Sequence, residues 1–280
     1  MSISLIPEEI SFIISSDPDN GASNLSSDGH YFEINLEDAL QIPKEAMNVN
    51  LSVQEATVWW TVANIQTGVN DKFYITGPNK SDVSTNFVIT IPQGLYDLTG
   101  LNQSIQRELE SANAKISPDP LIALTGDEST QKVEIKFNYT GTSIDFTQAN
   151  TFREIIGFNS AVYGPFATVP NTVLAPNVAN FNTINYFLLH SDLVGRGIRF
   201  NKEYNQTIAQ ILIDTSPGTQ IVSKPFNPSK INCQELAGAL RKKLRFWLTD
   251  DKNRPVNTNQ EYYSARIVIN YIVPKVLANV

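Results

Sequence analysis

Two neighbouring stretches, HYFEINLEDAL (residues 30–40) and AMNVNLSVQEATVWWTV (residues 46–62), decide how this chain reads. In the first, His30, Phe32, Ile34 and Leu36 fall on every second position. In the second, Met47, Val49, Leu51 and Val53 do the same. Period two is the strand period, because successive side chains point to opposite faces of a sheet. The phase then slips at Glu55–Ala56, and Ala56, Val58, Trp60 and Val62 carry the apolar face onward. A one-residue slip inside a strand predicts a β-bulge, or else a bend where two strands meet.

Working outward, KFYITG (72–77) and NFVITIP (86–92) read as short strands, with turn residues between them. The period then changes. In YDLTGLNQSIQRELESANA (96–114), Leu98, Leu101, Ile105, Leu109 and Ala112 recur every three or four residues, which predicts a helix over about 97–113. Asp97 or Thr99 can cap it, and Pro118 and Pro120 forbid its continuation. KVEIKFNY (132–139) returns to strand alternation. Thr151 can cap a short turn, TFREIIGF, that Gly157 ends in the left-handed conformation. Residues 159–182 show no clear period and read as loop.

Strands resume with NYFLLHSDL, GIRF, QTIAQILIDT and QIVSKPF. In CQELAGALRKKLRFWLTDD (233–251), the first half fits a helical turn and Leu244, Phe246 and Leu248 fit a strand. SARIVINYIV is the last strand, expected to pair with the one around Leu244–Leu248 across an exposed polar loop, DDKNRPVNTNQEYY. Many short strands, few helices and no alternating β-α series give a fold class that is mainly β, a sandwich or jelly roll. The helical interruption reads as an inserted α+β subdomain. The expected division is 1–91 and 166–280 for the sandwich strands and 92–165 for the insertion.

The composition limits the function classes. Of 280 residues 41% are hydrophobic, enough for a sizeable core, while only 18% are charged, and 28 are Asn. The net charge of −7 argues against a general nucleic-acid binder, which needs a basic footprint, without forbidding a local contact. A single cysteine, Cys233, leaves no intrachain disulfide. With only His30 and His190 besides, the usual zinc sites are nearly excluded. No apolar run is long enough to span a membrane. The start, MSISLIPEEISFI, lacks the form of a secretory signal, which predicts a reducing compartment.

Candidate sites are few. His30 and His190 sit on strand-like alternations and read as structural. No G-x-S-x-G elbow and no phosphate-binding loop occurs. Asp17, Asp19, Asn20 and Gly21 resemble the start of a calcium loop but lack its later ligands, so a surface turn is expected. Arg241, Lys242, Lys243 and Arg245 form the dense basic run, either a solvated face or a surface for nucleic acid or an acidic neighbour. Trp59 and Trp60 are adjacent, so on a strand one fills the core and the other meets a covering loop, a neighbour or solvent. No catalytic, cofactor-binding or metal-binding residue is assigned.

The order of elements, with IPQGLYDLTGLNQSI (91–105), REIIGF (153–158) and LTDDKNRPV (248–256) as its most specific pieces, resembles the penton, or minor capsid, proteins of virophages, polintoviruses and polinton-like viruses. The resemblance covers most of the chain and contains no catalytic motif. It implies a single jelly roll that forms homopentamers at the fivefold vertices of an icosahedral shell, in the virion, assembled in the host cytoplasm. Its neighbours would be a double-jelly-roll major capsid protein, with the inserted subdomain outward and a host receptor as a further partner. It implies no cofactor and no enzymatic activity. The alternatives are a receptor- or glycan-binding β-sandwich spike, or a glycosidase on a jelly roll.

Overall fold

The computed structural model describes residues 2–182, 184–200 and 202–277. The chain divides into two compact units, Met1–Val62 with Ile184–Val280, and Ala63–Thr183. The first begins with β1 (Ser2–Ser15), followed after a capped turn by β2 (Ala22–Ser23), β3 (Tyr31–Gln41) and β4 (Met47–Trp59). The turn is the DPDNG segment: the Asp17 carboxylate accepts from the Asp19 amide, and Gly21 takes a φ of 90°.

The phase slip in β4 is a bulge. Opposite β4, Arg266 pairs with Glu55 and the next residue, Ile267, pairs with Val53, so Gln54 is the extra residue. Val49, Leu51 and Val53 before it and Ala56, Val58 and Trp60 after it are all buried. A second irregularity lies near the start of β4, where Asn48 has a φ of 53°. Asparagine tolerates that region better than most residues. Met47, placed with the apolar face by the sequence pattern, lies beyond this kink and is exposed.

The second unit holds β5 (Lys72–Pro78), β6 (Ser84–Thr90), α1 (Leu98–Ser111), β7 (Ile122–Asp127), β8 (Lys132–Phe137), β9 (Ser143–Asp145), β10 (Val162–Tyr163) and β11 (Asn171–Leu174). Its sheets run β10-β9-β5-β6 and β11-β8-β7. Asp97 caps α1 by accepting from the Gly100 amide at 2.6 Å. The helix buries Leu101, Ile105 and Leu109, in one cluster with Phe73 and Ile75 of β5, Phe87 and Ile89 of β6 and Val133, Ile135 and Phe137 of β8. That cluster explains why this unit is wider than the expected 92–165. The apolar faces of β5 and β6 are buried among these helix and strand residues. Residues 159–182, expected as loop, contain β10 and β11. Both are short strands among prolines, and β11 exists because Asn171–Leu174 pairs with Phe137–Glu134.

The chain re-enters the first unit with β12 (Tyr186–Ser191), β13 (Arg199–Phe200), β14 (Glu203–Tyr204), β15 (Thr207–Leu212), β16 (Gln220–Ser223), β17 (Ile231–Asn232), β18 (Leu240–Thr249) and β19 (Ser264–Leu277). Two larger antiparallel sheets result, beside the two-stranded pair β13-β14. One has the order β1-β19-β4-β16, with β17 also on β4, and the other β15-β12-β18-β3-β2. Their buried apolar residues include Ile14, Leu51 and Ile267 from the first and Phe32, Phe187 and Phe246 from the second, and at Phe187–Leu189 and Ile267–Ile269 successive residues on both faces are buried. Tyr263, just before β19, meets Phe32 of β3 edge-on at 5.4 Å between ring centroids.

One pairing differs from the sequence expectation. β19 does not pair with β18; it lies between β1 and β4, while β18 lies between β3 and β12. The connection 250–263 crosses from one sheet to the other instead of closing a hairpin. It is also pinned, with Val256 and Thr258 buried and the Thr258 amide donating to the Asp28 carbonyl at 2.8 Å. The strand β1 had no counterpart in the sequence reading, because Pro7, Glu8 and Glu9 interrupt its alternation and much of it is exposed.

Candidate assembly surface

His190 on β12 is 2% exposed. Its Nε2 lies 2.7 Å from Thr249 Oγ1 and its Nδ1 3.2 Å from Thr207 Oγ1, and the ring stacks on Trp247 at 5.3 Å. Burial pushes its pKa down to about 4, so it is neutral at pH 7 and both nitrogens are bound to hydroxyls. His30 has Asp28 Oδ1 at 2.5 Å and Ser26 Oγ at 3.1 Å, but both sit on Nδ1, and Ser26 Oγ also donates to Asp28. A serine nucleophile needs one imidazole nitrogen while the acid orients the other, so these three residues do not form a proton relay.

The basic run lies on β18. Lys243 Nζ is 2.8 Å and Arg245 Nε 3.2 Å from the carboxylate of Glu33 on β3, which is 5% exposed. Tyr31 Oη donates to the same carboxylate at 2.7 Å and Asn24 Nδ2 also donates. Hydrogen bonds from Lys243, Tyr31 and Asn24 hold the Glu33 carboxyl down at about 2. Two of the four basic side chains thus share one carboxylate within the chain, which offsets one of their two charges and weakens the run as a surface for phosphates. Glu33 itself gave no sequence signal: a carboxylate between Phe32 and Ile34 reads as the solvent side of a strand.

Of the tryptophans, Trp60 is buried and Trp59 is half-buried. Cys233 is fully buried, and burial pushes its thiol up to about 12. Among the described residues no group of three His, Cys, Asp or Glu is placed to hold a metal ion, and no helix is long and apolar enough to cross a membrane. Depressions of about 440 Å³ at Arg153, Gly157 and Asn177, and about 540 Å³ at Gly195, Arg196 and Glu235, hold no nucleophile paired with a base.

What remains is exposed apolar surface on the first sheet of the first unit. β1 is its edge strand, paired along its length with β19 only. The β4–β19 pairing stops at Met47–Ile272, so Ser2–Pro7 and Ile272–Leu277 run on as a two-stranded ribbon. Such ribbons are marginal in water by themselves. On the outward face of β1, Ile3 is 67%, Leu5 58% and Ile13 76% exposed. At the opposite edge, β16 pairs with Trp59–Ala56 and β17 with Leu51–Asn50 of β4, and the seven residues between them, 224–230, form an arm. Val222 is 51% exposed and Phe226 is fully exposed. Large apolar side chains clustered on a sheet edge mark an interaction surface more often than chance exposure does.

No family model matches the sequence, and no curated protein matches it. Among solved structures, the chain is similar to the mavirus penton protein, with a TM-score of 0.48 and 11% identity over 94% of this chain and 99% of that one. It is also similar to a chain in the structure of the Sputnik virophage, with a TM-score of 0.43 and 12% identity over 94% of this chain and 98% of that one.

Proposed function

We propose that this chain is a structural virion protein, a penton subunit that works by assembling and carries no active site. The observation that carries the assembly reading is the exposure of Ile3 and Leu5 near the start of the edge strand β1 and of Ile13 near its end, with the exposed Phe226 at the other edge of the same sheet. The strand order supports a single jelly roll. Taking the long strands β1, β3, β4, β12, β15, β16 with β17, β18 and β19 as one to eight, the two sheets run 1-8-3-6 and 5-4-7-2. Every connection crosses between sheets except the one from β12 to β15, as in two interlocked Greek keys. In this reading the unit Ala63–Thr183, placed in sequence between the third and fourth strands, is the inserted subdomain.

The penton assignment itself rests on the resemblance of residues 91–105, 153–158 and 248–256 to virophage and polinton-like penton proteins. It carries with it the homopentamer at fivefold vertices, the double-jelly-roll major capsid protein as neighbour and the virion as location. Native mass spectrometry of the purified full chain tests it. Closed rings of five are expected. A monomer at every concentration up to about 100 μM overturns the assembly reading and shifts weight to a receptor- or glycan-binding spike, because an obligate interface holds well below that concentration.

A further inference from the structure

The connection from β12 to β15 leaves their sheet as a short excursion, GRGIRFNKEYNQ (residues 195–206), in which Arg199–Phe200 pairs with Glu203–Tyr204 as β13 and β14. Its base is pinned. The Gly197 amide donates to the Asn205 carbonyl at 2.8 Å and the Ile198 amide to the Thr207 carbonyl at 2.7 Å. A Cβ on Gly197 would lie 2.1 Å from the Thr207 oxygen, so only glycine allows this approach. The excursion carries Arg196, Arg199 and Lys202 against one carboxylate, Glu203, in a chain whose net charge is −7. All three cations are exposed. Among the described residues none of the three makes an ion pair. Glu235, which lines a depression with Arg196, gives one oxygen to the Gly195 amide at 2.6 Å.

The two arginines converge on one ring. Their guanidinium carbons lie 5.9 Å (Arg196) and 5.5 Å (Arg199) from the Tyr204 ring centroid, and Tyr204 is 59% exposed. Two like charges beside one ring, with no carboxylate pairing either, repel each other, and an anion bound to both relieves that repulsion. Guanidinium groups match phosphate oxygens in a planar, two-pronged geometry. The exposed ring adds a flat apolar face on which a base stacks. An acidic protein segment would satisfy the arginines without using the ring. Bases in a duplex are stacked on each other, so the ring favours a single strand. We infer that Arg196, Arg199, Lys202 and Tyr204 form a binding site for single-stranded nucleic acid, the three cations taking phosphates and Tyr204 taking a base. The site is independent of the assembly reading. The basic run on β18 is the weaker candidate, because Lys243 and Arg245 already share the Glu33 carboxylate.

Fluorescence anisotropy of a labelled single-stranded oligothymidylate, titrated with the full chain at several salt concentrations, tests it. Three phosphate contacts predict that log K falls against log salt with a slope of about −2, at roughly 0.7 for each contact on a single strand. Arg196→Ala with Arg199→Ala should weaken binding by roughly tenfold or more and bring the slope to about −0.7. Tyr204→Ala should weaken it by roughly fivefold or more, while Tyr204→Phe keeps the affinity, because the ring stacks and the hydroxyl does not. Lys224→Ala with Lys252→Ala removes the same two charges from outside the excursion and should leave binding unchanged. All these positions are exposed, and unchanged thermal melts of the variants check the fold. No anisotropy change at low salt overturns the site. An equal loss in the Lys224 and Lys252 variant overturns it too, since binding then follows net charge. Oligonucleotide binding that Tyr204→Ala leaves intact shows a surface for any polyanion, heparin included, and overturns the nucleic-acid assignment. A duplex bound more tightly than the single strand overturns the role of the ring.

Discussion

At the scale of single residues, two buried titratable groups set the acid response. His190 has an ordinary pKa of 6.5 in the unfolded chain and about 4 when folded. The unfolded chain therefore binds the extra proton first, and stability falls as pH drops from about 6.5 to about 4, by about 3 kcal/mol in all. Glu33 acts in a lower window. Its carboxyl, held at about 2 chiefly by Lys243, stabilises the fold fully above about 4.5, and that contribution is lost as pH falls toward 2. Urea titrations at pH 7, 5 and 4 should show the first loss. His190→Gln should flatten the change between pH 6.5 and 4, and Glu33→Gln should flatten the one below 4.5. A wild-type stability independent of pH from 7 to 4 would contradict the burial of a neutral His190. The abundance of asparagine also has a residue-scale cause, since Asn24, Asn48, Asn113, Asn150, Asn253 and Asn259 all take positive φ at turns or kinks.

At the scale of elements, α1 and β19 carry the most. Ile105 is fully buried among the strands of its unit. Ile105→Leu conserves volume and should cost less than about 1.5 kcal/mol. Ile105→Asp places a charge in that core and should unfold the unit 63–183 while the other sheets persist, seen as partial loss of protection in hydrogen exchange. Protection unchanged in that unit would contradict the packing of the helix. β19 lies between β1 and β4 and buries Ala265, Ile267, Val268 and Ile269. At roughly 1.5–3 kcal/mol for each large apolar side chain, its loss exceeds much of a typical margin of about 5–15 kcal/mol. Deleting residues 264–280 should abolish soluble folding, and a truncated chain that unfolds cooperatively would show otherwise. The connection before it is also sensitive. Thr258 and Asn259 tie it to the Asp28 and Thr61 carbonyls, so removing residues 256–259 should destabilise a loop whose sequence looks free to shorten.

At the scale of the whole molecule, the proposed function depends on surfaces that the isolated chain leaves open. An outward strip of Ile3, Leu5 and Ile13 is a liability for a monomer, because a long apolar edge templates pairing with other chains. A neighbour that covers it turns the liability into the driving force for assembly. Stability should therefore depend on concentration. Dilution through the assembly midpoint should lower the melting temperature of the wild type. A wild-type melting temperature independent of concentration would mean that no interface is contributing.

The alternating faces of residues 30–40 and 46–62, the phase slip in β4 and the helix with Asp97 or Thr99 as its cap were legible in the sequence; the structure chose the bulge and Asp97. Each is fixed by a local period or a capping residue a few positions away. So was the scarcity of histidine and cysteine, two and one, which is a matter of counting. Tertiary structure alone decided which strands pair. β18 and β19 are neighbours in sequence and belong to different sheets, because the energy of pairing depends on which apolar faces meet, and alternation carries no information about partners. The edge position of β1, the ion pairs of Glu33 with the β18 basic run and the full exposure of Phe226 are likewise long-range facts. A side chain's burial is set by residues far away in the chain, and no local pattern encodes that.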